Sequence, residues 1–277
     1  MPADNENDPG RAQSELGPDT GKRIRFCVLA SGSRGNSVWV ESDGAAVIVD
    51  NGLSGKAFKQ RVALAGLDIR RLKAIIVSHE HRDHILGVGV LARMMKLPVY
   101  LNEATYKQAE SGLGRIHVVP FVTGVDLRIG HLAIHPFSIS HDAADTAAFT
   151  FQSGSAKLGL ATDLGTATAL VKRRLAGCDA LILEANHDPD MLRNGPYPWE
   201  IKRRVRGRQG HLSNQDAAEL LAGLVHSGLR HVVLAHLSQT NNLPDLALET
   251  VGAVQSDRTG FRLEAASQDQ PGSLVEI

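Results

Sequence analysis

Ser78-His79-Glu80-His81-Arg82-Asp83-His84 follows directly on the apolar run Leu72–Val77. Imidazoles at 79, 81 and 84 and a carboxylate at 83 therefore crowd the point where a strand ends and a helical pattern, Ile85–Met95, begins. Alternate residues of an extended segment face one way, so His79 and His81 can share a metal ion. Asp83 and His84, at the turn into the helix, can reach a second. Imidazole nitrogen and carboxylate oxygen suit Zn²⁺, Mn²⁺ or iron, and the lack of cysteine here speaks against a structural zinc finger. A polar loop with surface histidines is the alternative, but H-x-H-x-D-H is rare by composition.

Working outward, three further candidates occupy equivalent places. His141 follows the strand ending at Ser140, Asp163 follows Lys157–Thr162, and His236 follows His231–Ala235. Any one alone is more often a satisfied polar residue. Together, at the ends of several strands, they would gather on one edge of a layered sheet structure.

Strands are expected at Ile24–Leu29, Val38–Glu41, Ala46–Val49, Ala74–Val77, Val99–Leu101, His117–Val119, Leu132–Ile139, Ala148–Phe151, Leu158–Ala161, Ala180–Leu183 and Val232–Ala235. Asp43-Gly44 and Ser153-Gly154-Ser155 read as hairpin turns. Helices are expected near Lys56–Ala65, Ile85–Met95, Thr166–Leu175 and Asn214–Val225, the last opened by a Ser213/Asp216 capping box. Runs of strands with helices between them indicate an α/β fold of sheet layers covered by helices. One domain is expected over 22–265. It follows an acidic, proline-bearing stretch (1–21) expected to be disordered, and it precedes a loose C-terminal tail (266–277).

Composition narrows the function. The chain has 277 residues, 43% hydrophobic and 22% charged, with a formal net charge of zero. No global field draws it to nucleic acid or membrane, so any such partner must use a local patch. Cys27 and Cys178 make no C-x-x-C pair and read as buried free thiols of a reducing compartment. No apolar run approaches the ~20 residues that span a bilayer, and no secretory signal is visible, so a cytoplasmic location is expected.

The ligand pattern resembles that of the metallo-β-lactamase superfamily, over about 24–265. The resemblance implies the αββα sandwich, two mixed sheets with helices on the outer faces. It also implies a site for two divalent metal ions, zinc or manganese, which activate a water for hydrolysis. On that likeness His79, His81 and His141 hold the first ion, Asp83, His84 and His236 the second, and Asp163 bridges them. Asp50 occupies the place of a carboxylate that supports the histidine loop; a strand-end turn former is its plainer reading.

The substrate is addressed by weaker signals. Glu184, then Gly210-His211-Leu212-Ser213, then Ala235-His236-Leu237-Ser238 follow an order similar to that of the tRNA 3′-processing branch, in which a Glu and a His relay a proton. By that likeness His211 would protonate the leaving oxygen or hold a phosphate, with Glu184 orienting it; a polar residue at a helix start is the alternative. Lys202-Arg203-Arg204, with Arg206 and Arg208, precede His211; a solvated helix face or a clamp on a polyanion backbone would both use such a run. Ser31–Ser37, with Ser33, Arg34 and Asn36, is a Gly-rich turn whose amides are able to cradle an anion, or a plain hairpin loop.

SGSRGNS (31–37), SHEHRDHILGVG (78–89), LEANHDPDMLRNGPYPWEIKRR (183–204), GHLSN (210–214) and LAHLSQTNN (234–242) together resemble the YycJ/WalJ family of bacterial nucleases. That resemblance implies 5′-to-3′ exonuclease activity on DNA, a link to mismatch repair, and a substrate role for His187. The span from His187 to Gln209 is too short for a tRNA-gripping arm, and no insertion of about a hundred residues separates the ligands. A small phosphodiester, lactone or thioester is the rival substrate, and a non-catalytic nucleic-acid-binding scaffold the rival class.

Overall fold

The computed structural model describes residues 23–256 and 260–277; the stretch 1–21, expected to be disordered, lies outside the described residues. A first sheet contains β1 (Arg25–Ala30), β2 (Ser37–Ser42), β3 (Ala45–Val49), β4 (Leu72–Ile76), β5 (Pro98–Leu101) and β6 (His117–Pro120). A second contains β7 (Leu127–Ile129), β8 (Leu132–Ser138), β9 (Ala147–Ser153), β10 (Ala156–Ala161), β11 (Ala180–Glu184), β12 (His231–Ala235) and β13 (Arg262–Ala265). β14 (Val275–Glu276) joins the first sheet beside β1. Each sheet is mixed: β1–β3 and β7–β10 run antiparallel, while β3–β6 and β10–β13 run parallel.

The strands are apolar on both faces because each face has its own cover. Phe26 and Val28, Val38 and Val40, and Val47 and Val49 point into a core shared with Phe149, Phe151 and Ile182 of the second sheet. Their alternates Cys27, Trp39 and Ile48 pack outward under helices α1 (Gly55–Leu64), α3 (Val88–Met95) and α4 (Glu103–Leu113). Likewise Leu181 and Leu183 pack under α5 (Ala169–Leu175), α8 (Asn214–Ala222) and α9 (Pro244–Gly252). This is the αββα sandwich, its period-2 strands buried on both sides. The Asp43-Gly44 turn has both residues in the left-handed region (φ 48° and 78°), the geometry of a two-residue hairpin.

Three differences from expectation have local causes. The helix expected over Ile85–Met95 is broken into α2 (Arg82–Ile85) and α3 at Gly87, where a Cβ would lie 1.8 Å from the Leu53 carbonyl oxygen. Helix α4 buries Thr105, Ala109 and Leu113 at helical spacing, but only the last is strongly apolar, so its amphipathic signal is faint. Residues 266–277, expected to be loose, are tied down: Val275 pairs with Phe26, and Ile24 and Ile277 exchange backbone hydrogen bonds of 3.0 and 2.9 Å. Val275 and Ile277 extend the inter-sheet core, which rewards ordering this segment. Among the described residues no helix is long and apolar enough to cross a membrane.

Candidate metal centre

Asp50, His79, His141, Asp163, Glu184 and His236 sit at the ends of β3, β4, β8, β10, β11 and β12, on one edge of the two sheets. Asp50, Asp163 and His236 adopt left-handed backbone (φ 58°, 58° and 57°), which turns their side chains sharply off the strand direction. Such conformations cost of order 1–3 kcal/mol each for non-glycine residues and persist where the surroundings enforce them. Here Ser31 Oγ accepts from the His236 amide (2.7 Å), and Asn186 Nδ2 donates to its carbonyl (2.7 Å).

The imidazoles are aimed by what holds their outer nitrogen. Asp50 accepts from the Ser78 amide (2.8 Å), from Ser78 Oγ (2.7 Å) and from His84 Nδ1 (2.7 Å). Ser78 Oγ in turn accepts from His79 Nδ1 (2.9 Å). His236 Nδ1 faces Glu184 Oε1 (3.3 Å), and His141 Nδ1 donates to the Gly210 carbonyl (3.3 Å). With Nδ1 committed in all four, Nε2 is the nitrogen offered inward. His81 is the exception, since its Nδ1 meets His141 Nε2 at 3.2 Å. Asp50 is thus the anchor of the histidine loop as well as a strand-end turn.

The inward atoms converge. His79, His81 and His141 form one group with ligand atoms within 4.8 Å of one another; Asp83, His84 and His236 form another. Asp163 reaches both: its Oδ2 lies 3.2 Å from His84 Nε2, and its Oδ1 lies 3.8 Å from His141 Nε2 and 3.5 Å from His236 Nε2. His79 Nε2 is buried with no hydrogen-bond partner among the described residues, and buried Asp163 Oδ2 has nothing beyond its approach to His84 Nε2. Leaving such atoms unpaired costs about 1–3 kcal/mol each. A divalent cation completes them, and the all nitrogen-and-oxygen donor set fits that chemistry.

Electrostatics point the same way. Burial opposes charge on Asp163, but His236 and His84 beside it hold its carboxyl well below the usual range. Burial likewise opposes the charge on Glu184, yet His211 keeps it down at about 2. Burial works against a charged His236, but Asp163 and Asp83 raise it to about 10. Burial pushes His79 well below its ordinary value, and the neighbouring His84 adds to the effect. Ionised carboxylates in a buried site call for positive charge, which a divalent ion supplies.

A family model, the beta-lactamase superfamily domain, matches residues 46–237. The chain belongs to the metallo-β-lactamase superfamily. Within it, the chain is 42% identical over 241 residues to Exodeoxyribonuclease YycJ of Bacillus anthracis, covering 86% of this chain and 91% of that protein. It is 35% identical over 266 residues to Exodeoxyribonuclease WalJ of Streptococcus pneumoniae serotype 2 strain D39, covering 92% of this chain and 98% of that one. The metallo-beta-lactamase fold protein YhfI of Bacillus subtilis has the same fold, with a TM-score of 0.71 at 18% identity, over 93% of this chain and 100% of that one. This superfamily member therefore carries a metal-binding hydrolase site and is related to the YycJ/WalJ-type exonucleases.

Beside the ligands, His211 Nδ1 meets Glu184 Oε1 at 2.8 Å, and its ring stacks on His236 at 5.2 Å between centroids. Glu184 Oε2 also accepts from the amides of Leu164 (2.8 Å) and Leu212 (3.1 Å), so this carboxylate is fully used in positioning. In the Ser31–Ser37 loop the amides of Gly32, Arg34, Gly35 and Asn36 are donated to Asn36 Oδ1, Gln268 Oε1, the Gly32 carbonyl and the Asp83 carbonyl, so of the two readings of this loop the four amides fit the plain turn, internally braced. Asn36 Nδ2 lies 3.1 Å from Asp83 Oδ2 and 3.0 Å from His84 Nε2, which makes it a positioning residue of the site. Ser33 is exposed, and Arg34 is paired with Asp269 (2.7 Å).

Lys202, Arg203 and Arg204 of the basic run lie on α7 (Trp199–Val205), which follows α6 (Pro189–Asn194), while Arg206 and Arg208 come after its end. Arg204 pairs with Asp142, the neighbour of His141; Lys202 Nζ donates to the Arg193 carbonyl (2.8 Å); Arg203 is exposed. His187 is buried and faces α6 and α7 rather than the ligand groups. Cys27 and Cys178 are buried, and burial pushes their thiols up to about 12 and about 11, so neither serves as a nucleophile.

One residue that supports the site carries no sequence signal. A Cβ on Gly52 would lie 1.9 Å from the Asp83 carbonyl oxygen. Gly52→Ala should therefore displace the His81–His84 turn. The expected result is a stability loss of about 1–3 kcal/mol and fewer metal ions per chain, measured by thermal melting and by elemental analysis. A variant with wild-type metal content would show that the turn yields without disturbing the ligands.

Proposed function

We propose that this protein is a 5′-to-3′ exonuclease acting on DNA, with a role in mismatch repair in the cytoplasm. The observation that carries the reading is the 42% identity to an exodeoxyribonuclease over nearly the full length of both chains. In this reading His79, His81 and His141 hold one ion, Asp83, His84 and His236 the other, and Asp163 bridges them; the ions are Zn²⁺ or Mn²⁺. When bound, they acidify a water and draw negative charge off the phosphoryl oxygens. As the imidazolium, with its Nδ1–H donated to Glu184, His211 would give its Nε2 proton to the leaving oxygen. Arg204, held by Asp142, places the cationic face of α7 at the rim, where Lys202 and Arg203 would meet backbone phosphates without reading sequence.

The test is a time course on duplex DNA labelled at either end, in Mn²⁺ and in Zn²⁺, with Asp83→Ala as the blank. Label should leave progressively from the 5′ end and stay intact with the variant. Digestion from the 3′ end, or none by metal-loaded protein, overturns the reading. Replacing Lys202, Arg203 and Arg204 by Ala should also flatten the salt dependence. Each lost phosphate contact removes roughly 0.9 from the log–log slope. An unchanged slope would remove α7 from the DNA path.

A further inference from the structure

Between α6 and α7 lies a cavity of about 110 Å³ that shares no residue with the ligand groups. Its lining includes three cations, Lys202, Arg206 and Arg193 (the last paired with Asp190 at 2.6 Å), together with His187 and Trp199. His187 is only 3% exposed, and its Nδ1 has no hydrogen-bond partner among the described residues. Burial holds its pKa below the ordinary value, so at neutral pH the imidazole offers one donor and one acceptor. Trp199 is 58% exposed, with the Arg206 guanidinium 4.8 Å from its ring centroid. A large aromatic ring held at the surface beside cations is a platform for a base.

We propose that this cavity is a terminal-phosphate subsite: it takes the phosphomonoester at the end of a strand, with the adjoining base against Trp199. This rests on the nucleic-acid reading above. Two features favour a terminal phosphate over an internal one. A phosphomonoester carries roughly −1.5 to −2 charge at pH 7, more than a backbone diester, which suits a lining where Lys202 and Arg206 have no carboxylate partner in the cavity. The inner side of the cavity is lined by buried His187 and Leu192, and its volume of about 110 Å³ suits a phosphate group at a strand end. Helix α7 couples this subsite to the hydrolytic centre. It carries Lys202 toward the cavity and Arg204 toward Asp142, and its Val205 carbonyl accepts from the His211 amide (2.8 Å). A strand end seated on one side of α7 is thereby placed relative to His211 on the other.

Tryptophan emission reads this directly, because the chain has two tryptophans and Trp39 is fully buried. Metal-loaded protein should show a saturable emission change with thymidine 5′-monophosphate and none with thymidine. Trp199→Phe should abolish the signal, identifying the reporter, and Lys202→Gln or His187→Asn should weaken binding at least about tenfold, about 1.4 kcal/mol. In cleavage assays, kcat/KM should be about tenfold or more higher for phosphate-ended than for hydroxyl-ended strands, and that ratio should fall toward one in both variants. No nucleotide-dependent emission change, or a wild-type ratio near one, overturns the subsite. Binding of the nucleotide without cleavage of any strand would uphold the subsite and sink the exonuclease reading. Cleavage with equal rates on both ends and no emission change would do the reverse.

Discussion

Asp163→Asn should reduce hydrolysis by at least about 10⁴-fold, a loss of roughly 5 kcal/mol of transition-state stabilisation. Asparagine keeps the shape and tolerates the left-handed backbone at this position, so the fold should survive. What disappears is the negative charge between the two ligand groups, where Asp163 lies within 3.8 Å of nitrogens on His84, His141 and His236. An amide is a poor substitute for a carboxylate that must face two divalent cations. Metal content should therefore fall below that of the wild type, measured by elemental analysis on protein of unchanged circular dichroism. Full metal content with activity within tenfold of wild type would mean that Asp163 is not the bridge.

His211→Ala should behave differently. Loss of a general acid lowers turnover by about 10²–10⁴-fold, but both ligand groups remain intact, so the metal content should not change. The deficit should shrink to within about tenfold on a p-nitrophenyl phosphodiester, whose leaving group departs without a proton. A deficit of the same size on both substrates would refute the acid role. Loss of metal would make His211 a ligand, which its place near Asp163 (3.9 Å) makes a meaningful alternative to exclude. Glu184 has no lone pair to spare, since its oxygens accept from His211 Nδ1, Leu164 N and Leu212 N and also face His236 Nδ1. Its part is to hold the His211 ring in one orientation.

The candidate ligand groups were legible in the chain because most of their members stand at strand ends. A run of apolar residues closed by His79, His141, Asp163 or His236 carries its structural context with it, and parallel or neighbouring strands bring such ends to one edge. The layered fold was legible for a related reason: strands such as Val38–Val40 and Leu181–Leu183 are apolar throughout, which requires a cover on both faces. Helix α4 and strand β14 were not, because Thr105 and Ala109 mark their face weakly and Val275 finds its partner, Phe26, across almost the whole chain.

Tertiary structure alone decided the bracing of the site. Asn36 turns from a candidate anion contact into a support for Asp83 and His84, Arg34 binds Asp269, and Arg204 settles on Asp142. The same holds for Gly52 against the Asp83 carbonyl and for His187 facing a cationic cavity instead of the ligands. Each of these depends on a partner from a distant segment, brought within hydrogen-bond or van der Waals range by closure of the two sheets. Residue type and spacing encode strand ends and faces; which groups meet across them is set by the packing of one layer against the next.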